Sequence, residues 1–175
     1  AIDTLFKNPP PDLKPASLSR VAFCNDKVFV TDESKSIVIF WDYKNKRYDK
    51  FGKKGSGKGE FLSPKGIVGT STGRVYIVDS GNSRIELFDP NFNFIKEWGI
   101  KDLEPGQLIF PKGVGIGLNS EIYVSDSAQS VIAKFGSSGI PIKKISKMGL
   151  YDGMLYAPSR ITVDNEGKIF VADSL

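Results

Sequence analysis

One interval governs this chain. Asp32, Asp79, Asp126 and Asp173 follow one another at 47 residues, as do Pro64, Pro111 and Pro158, and as do Gly59, Gly106 and Gly153. Three residue types held to one period mark a tandem repeat, and a repeat dictates architecture before any single residue is weighed. The clearest copy runs from Gly59 to Gly99 and carries four short runs of strand character. Gly66–Gly69 is small and apolar, and Val75–Val78 is β-branched and aromatic, suited to burial on both faces. In Arg84–Phe88, Ile85 and Leu87 alternate with Arg84 and Glu86, which predicts a strand with one wet face; Phe94–Trp98 alternates likewise. Turn chemistry separates the runs, in Ser71-Thr72-Gly73, Asp79-Ser80-Gly81-Asn82-Ser83 and Asp89-Pro90-Asn91. No stretch has the period of a helix.

Four antiparallel strands per unit, repeated, predict an all-β chain of β-propeller blades. The first strand is rich in glycine, as an innermost strand crowded around a central channel must be, and later strands grow wetter toward the rim. A β-solenoid has shorter repeats and fewer turn clusters in each.

The motifs then become specific. Gly57-x-Gly59-x-Phe61-x-x-Pro64-x-Gly66-Ile67, followed by VYIVDSGNSRI, Phe88-Asp89-Pro90 and the closing Trp98-Gly99, resemble the NHL repeat. The third copy follows this pattern as far as Ser127, the fourth in PSRITVDNEGKIFVADS, and the first keeps VFVTDES but has Ser17 where proline is expected. The resemblance implies a propeller, most often six-bladed, over essentially the whole chain. On this reading residues 1–175 form a single incomplete propeller of about three and a half blades. Residues 1–6 are the last strand of a preceding blade, 17–52, 59–99 and 106–146 are blades, and 153–175 are the first two strands of a further one. Broken blades expose strand edges, so the missing blades are expected from a longer parent chain or another subunit. NHL proteins of bacteria are often exported, and the resemblance thereby favours an extracytoplasmic setting, secreted or periplasmic; the residues themselves leave the compartment open.

Charge adds little, at +4 with a pI near 9.0, spread along the chain. Its densest run, Lys53, Lys54 and Lys58, reads as a solvated linker between blades. Cys24 is the single cysteine and has no internal disulfide partner. No apolar stretch reaches membrane-spanning length, so no membrane insertion is expected.

The four aspartates invite a metal reading, but equivalent residues of successive blades are carried apart around a ring, whereas ligands must converge on one ion. Asp32, Asp79, Asp126 and Asp173 are therefore expected to cap turns, with no metal site and no cofactor. Phe40, Trp41, Phe51, Phe88, Trp98 and Phe135 recur in outer strands and are expected to pack between blades. Residues that differ between repeats say more about function, because loops at the ends of a rigid scaffold vary and bind. Lys65, Lys112 and Arg160 put a cation where the first strand begins, and Lys35, Asn82, Arg84 and Gln129 lie in the loop after the second strand. The resemblance implies that both loop types share a face, and these seven are the expected partner-binding residues. The family's arginine after the aspartate turn survives only as Arg84, with Ile37 and Val131 in its place elsewhere.

A non-catalytic scaffold that docks a protein or peptide is the expected function. The resemblance also implies RNA binding through a basic propeller face, ranked behind a protein partner because acids such as Asp102, Glu104 and Asp152 interrupt the basic arc. A third reading is a fragment of a propeller lyase whose metal-binding histidines lie outside these residues. The chain has no histidine, no phosphate-binding glycine loop and no nucleophile elbow, and the expectation is that it is not an enzyme.

Overall fold

The computed structural model describes residues 9–99, 106–146, 149 and 151–174; the strand expected at residues 1–6, with Asp102 and Glu104, lies outside them. The first sheet runs β1 (Leu18–Cys24), β2 (Lys27–Asp32), β3 (Ile37–Asp42) and β4 (Arg47–Phe51). The second runs β5 (Pro64–Gly69), β6 (Val75–Asp79), β7 (Arg84–Phe88) and β8 (Phe94–Trp98), and the third β9 (Pro111–Ile116), β10 (Ile122–Asp126), β11 (Val131–Phe135) and β12 (Pro141–Ile145). A final pair joins β13 (Pro158–Val163) to β14 (Ile169–Asp173). Each sheet is an antiparallel meander in chain order, and no α-helix occurs among the described residues. The first strands lie side by side, β1 against β5, β5 against β9 and β9 against β13, so the sheets stand as blades around a common centre.

Glycine permits that approach. A Cβ on Gly66 would come within 2.8 Å of the Lys112 carbonyl oxygen, and one on Gly113 within 2.8 Å of the Ser159 carbonyl oxygen. Side-chain hydroxyls fasten the same seams. Thr31 Oγ1 donates to the Lys65 carbonyl at 2.7 Å, and Ser125 Oγ to that of Ser159 at 3.2 Å.

The first blade departs from the 47-residue period by one residue. Leu18 pairs with Asp32, as Pro64 does with Asp79, Pro111 with Asp126 and Pro158 with Asp173. Leu18, not Ser17, therefore holds the proline position. The cause is the β1–β2 hairpin, which turns in two residues, Asn25 (φ 49°) and Asp26 (φ 58°), between the paired Cys24 and Lys27. Two consecutive positive φ values make a type I′ turn, the form that suits the twist of paired strands. In the second blade the turn takes three residues between Thr70 and Arg74, with Gly73 at φ 82°.

The cores lie between blades. One cluster joins Cys24, Phe29, Val38 and Phe40 of the first blade to Phe61, Ile77 and Phe88 of the second. The next joins Val78, Ile85, Leu87 and Trp98 to Leu108, Val124 and Phe135, and a third joins Tyr123 and Ile132 to Ile161. Phe40, Phe88, Trp98 and Phe135 are all buried there, whereas Trp41 is half-buried and rests on Tyr48, 4.6 Å between ring centres. The expected wet face of β7 is absent. Arg84 and Glu86 are buried together with Ile85 and Leu87, because a strand inside a blade has a neighbouring blade on each side. Exposure begins instead at the rim, where Pro141–Lys144 of β12 are exposed.

Candidate functional site

Antiparallel pairing sets the start of each first strand beside the end of the second, so the loop into the blade and the loop after the aspartate share one end of the sheets. The aspartates join them. Each carboxylate accepts a backbone N–H from far upstream: Asp32 from Ala16 at 2.7 Å, Asp79 from Leu62 at 2.7 Å, Asp126 from Ile109 at 2.7 Å and Asp173 from Tyr156 at 2.8 Å. Asp32 also accepts the N–H groups of Ser34 and Lys35, both at 3.1 Å, and Asp126 those of Ala128 at 3.1 Å and Gln129 at 3.2 Å. Burial works against the charge of Asp32, yet the N–H groups of Ala16 and Lys35 hold it below the usual carboxylate range. At Asp79 burial prevails and pushes the carboxyl up, against the bonds from Asn82, Leu62 and Arg84.

These latches set a row of apolar side chains on the outer face. Leu62, Ile109 and Tyr156 recur at 47 residues and are 38%, 45% and 46% exposed, with Phe110 beside them at 41%. Each successor is also gripped by the preceding blade. Ser83 Oγ donates to the Ile109 carbonyl at 2.7 Å and Ser130 Oγ to the Tyr156 carbonyl at 2.5 Å, both serines at φ 55°.

The residues singled out for partner binding divide sharply. Lys35 Nζ donates to the Lys14 carbonyl at 2.8 Å, Asn82 Nδ2 to that of Gly55 at 2.9 Å and Gln129 Nε2 to that of Gln107 at 3.0 Å. These repeat-equivalent side chains fasten the chain leading into their own blades. Arg84 is not on the surface. It bonds Asp79 at 2.9 Å, Glu86 at 3.2 Å and Glu97 at 2.6 Å, and donates to the carbonyls of Ser56, Gly57 and Glu60. With its fork spent internally it clamps the linker of Lys53, Lys54 and Lys58 to the second blade. Lys65 pairs across the first seam with Glu33 at 2.6 Å. Lys112 Nζ lies over the exposed ring of Phe110, 5.7 Å from its centre, and Arg160 is exposed.

Sequence reasoning passed over Arg20. By register it stands where Arg160 stands: the Arg20 N–H meets Thr31 Oγ1 at 3.1 Å, and Arg160 pairs with Ala172, both one step inside the aspartate. Gly66 and Gly113 hold that place in the two middle blades. Both arginines line one cavity of about 630 Å³ to which all the first strands contribute, through residues such as Val21, Val68, Val114 and Ile161. Arg20 Nη2 reaches the Ser159 carbonyl at 3.3 Å. The only signal was the short hairpin, which puts Arg20 out of step with the period and against Ile67 in a naive count. Among the described residues no three His, Cys, Asp or Glu side chains converge as a metal site would.

A family model described as a 6-bladed beta-propeller, DUF5128, matches residues 12–105. No curated protein matches the sequence. Among solved structures, virginiamycin B lyase from Staphylococcus aureus is similar at 17% identity over 95% of this chain and 51% of its own, with a TM-score of 0.68. Hydrazine synthase of Kuenenia stuttgartiensis is similar at 15% identity over 90% of this chain and 42% of that one, TM-score 0.69. A chain of a nidogen/laminin complex is similar at 16% identity over 91% of this chain and 57% of that one, TM-score 0.69. This chain thus spans about half the length of each. The expectation that it is not an enzyme is corrected here. It rested on absent histidines and motifs, yet a lyase and a synthase share this fold. Identities this low carry the fold alone and name no reaction.

Proposed function

This chain belongs to the 6-bladed beta-propeller family, and on that premise we propose that its latched end is a docking face for a protein or peptide partner, on a propeller of the NHL type. The observation that carries the reading is the row of Leu62, Ile109, Phe110 and Tyr156, apolar yet exposed, and held in register by the aspartate carboxylates, those of Asp79 and Asp126 buried and that of Asp173 exposed. Exposed apolar side chains gathered on one face mark interaction surfaces, and a rigid scaffold beneath them lowers the ordering cost of binding. Lys112, with its ammonium over Phe110, and Arg160 supply the polar rim. The NHL reading draws support from the Gly-Phe-Pro-Gly spacing of the second blade and from its VYIVDSGNSRI run.

The test is capture of partners from source-cell extract on the natural chain and on Ile109→Glu, quantified by mass spectrometry across a salt series. A docking face loses its captured protein with Ile109→Glu and keeps it in the natural chain at high salt. Capture indifferent to Ile109→Glu sinks the reading. Recovery of RNA with a steep loss of affinity in salt would favour a basic nucleic-acid face instead.

A further inference from the structure

Arg20 and Arg160 form an unusual pair. They occupy one register position in the first strands of the first and last blades, line one cavity, and neither has an ion-pair partner among the described residues. Burial, and after it the charge of Arg160, draws the Arg20 guanidinium down, with Glu33 as the opposing acid. Glu33 is already committed, to Lys65 at 2.6 Å and to Ser63 Oγ at 3.3 Å. Two like charges are thus held toward one space without an anion between them. Arg20 spends Nη1 on the Ser19 carbonyl and Nη2 on that of Ser159, which leaves N–H donors of its fork free.

The remainder of the cavity is apolar. Val21, Phe23, Val68, Ile161 and Phe170 contribute to its walls, and Thr162 is the one hydroxyl residue lining it. A ligand that satisfies both parts carries a planar anion directly beside an apolar group. We infer that the cavity receives the C-terminal end of a partner peptide, its carboxylate taken by Arg20 and Arg160 and its last, apolar side chain by the walls. A terminal carboxylate lies next to its own side chain and brings few amides into apolar surroundings, where unpaired amides are costly. An internal Asp or Glu would bring the backbone on both sides of it. Planar carboxylate also suits the guanidinium fork better than it suits an ammonium, and the walls at Val21, Phe23 and Phe170 are exposed and open to an entering chain end.

This inference rests on the docking reading and narrows it to a peptide end. Isothermal titration would compare acetyl-Ala-Gly-Ala-Val-Leu as free acid and as C-terminal amide, with octanoate as a third ligand. The proteins are the full natural chain, Arg20→Gln, Arg160→Gln and the double variant, each checked for an unchanged melting temperature. The expected result is an acid that binds about tenfold or more tighter than its amide, the loss of a charge-assisted bond being of that size. Either glutamine variant brings the acid to the level of the amide. Equal binding of acid and amide overturns the inference, as does octanoate binding without peptide binding, which would assign the cavity to a free carboxylic acid. If acid and amide are alike while Ile109→Glu still abolishes partner capture, the docking face stands and only the peptide-end inference falls. If the acid is preferred but Ile109→Glu changes nothing, the peptide end is supported and the outer face loses its role.

Discussion

Asp79 and Arg84 meet at 2.9 Å across the turn between β6 and β7, and neither side chain reaches solvent to any extent. The pair ties together the end of one strand, the start of the next and, through the carbonyls of Ser56, Gly57 and Glu60, the linker from the preceding blade.

Arg84→Ala therefore leaves Asp79, Glu86 and Glu97 without their cation and frees the linker. Removing one partner of a buried ionic cluster costs about 3–5 kcal/mol, and urea unfolding would read it. Hydrogen exchange of Gly57 and Glu60 is expected to accelerate before the rest of the blade. A loss under about 1 kcal/mol would mean that the cluster is hydrated in solution.

Stability is expected to fall as pH rises through neutrality. Burial lifts Glu86 from 4.5 to about 7 against the opposing charge of Arg84, and its Oε2 has no hydrogen-bond partner. The folded state thus binds this proton more tightly than the unfolded chain. Its contribution is fully present below pH 4.5 and is lost as pH rises through about 7. Glu86→Gln should flatten most of the slope between these values in urea titrations, the residue being due to Asp79, which is shifted the same way. At lower pH the trend reverses, since the Asn45 N–H holds Asp42 down to about 2 and its stabilising charge is lost only in acid. An unchanged slope in Glu86→Gln would assign it elsewhere.

Asp126→Ala should cost far more than Asp173→Ala. The first carboxylate is fully buried and receives the N–H groups of Ile109, Phe110, Ala128 and Gln129. The donors are part-buried, and a hydrogen bond to a charged group is worth about 1.5–3 kcal/mol, so a loss of about 3 kcal/mol or more is expected for the four together. The second bonds two N–H groups at an exposed position, where water substitutes. Thermal melts of the two variants decide this, and similar losses would refute it.

Asp26→Gly is expected to stabilise by about 0.5–1 kcal/mol. Asp26 holds φ 58° in the type I′ turn, where Asn-Gly is the favoured pair and a Cβ is a strain. A lower melting temperature would show that the Asp26 side chain contributes more than its backbone strain costs.

Much of the fold was legible because turn chemistry punctuates it. Val75–Val78, Arg84–Phe88 and Phe94–Trp98 were read from apolar runs between Gly, Pro and Asx clusters, and their strands differ by no more than a residue at one end. The burial of β7 was not legible, since an Arg84–Glu86 alternation looks the same whether water or a neighbouring blade lies beyond it. The long-range half of the aspartate latches was hidden too, because Ile109 and Asp126 meet only once the strands pair. Arg20 was concealed for a simpler reason. A two-residue hairpin displaced it from the period, and a repeat read by counting cannot see a position that register alone defines.

The serines at φ 55° have a consequence for how such chains change. Ser83 belongs to one blade and holds Ile109 of the next, as Ser130 holds Tyr156. A blade is therefore not an interchangeable cassette. Exchanging one for a foreign copy also strips its successor of the grip that aims an exposed side chain. The unit that can be transplanted intact runs from the β6–β7 turn of one blade to the same turn of the next, across the seam and not along it.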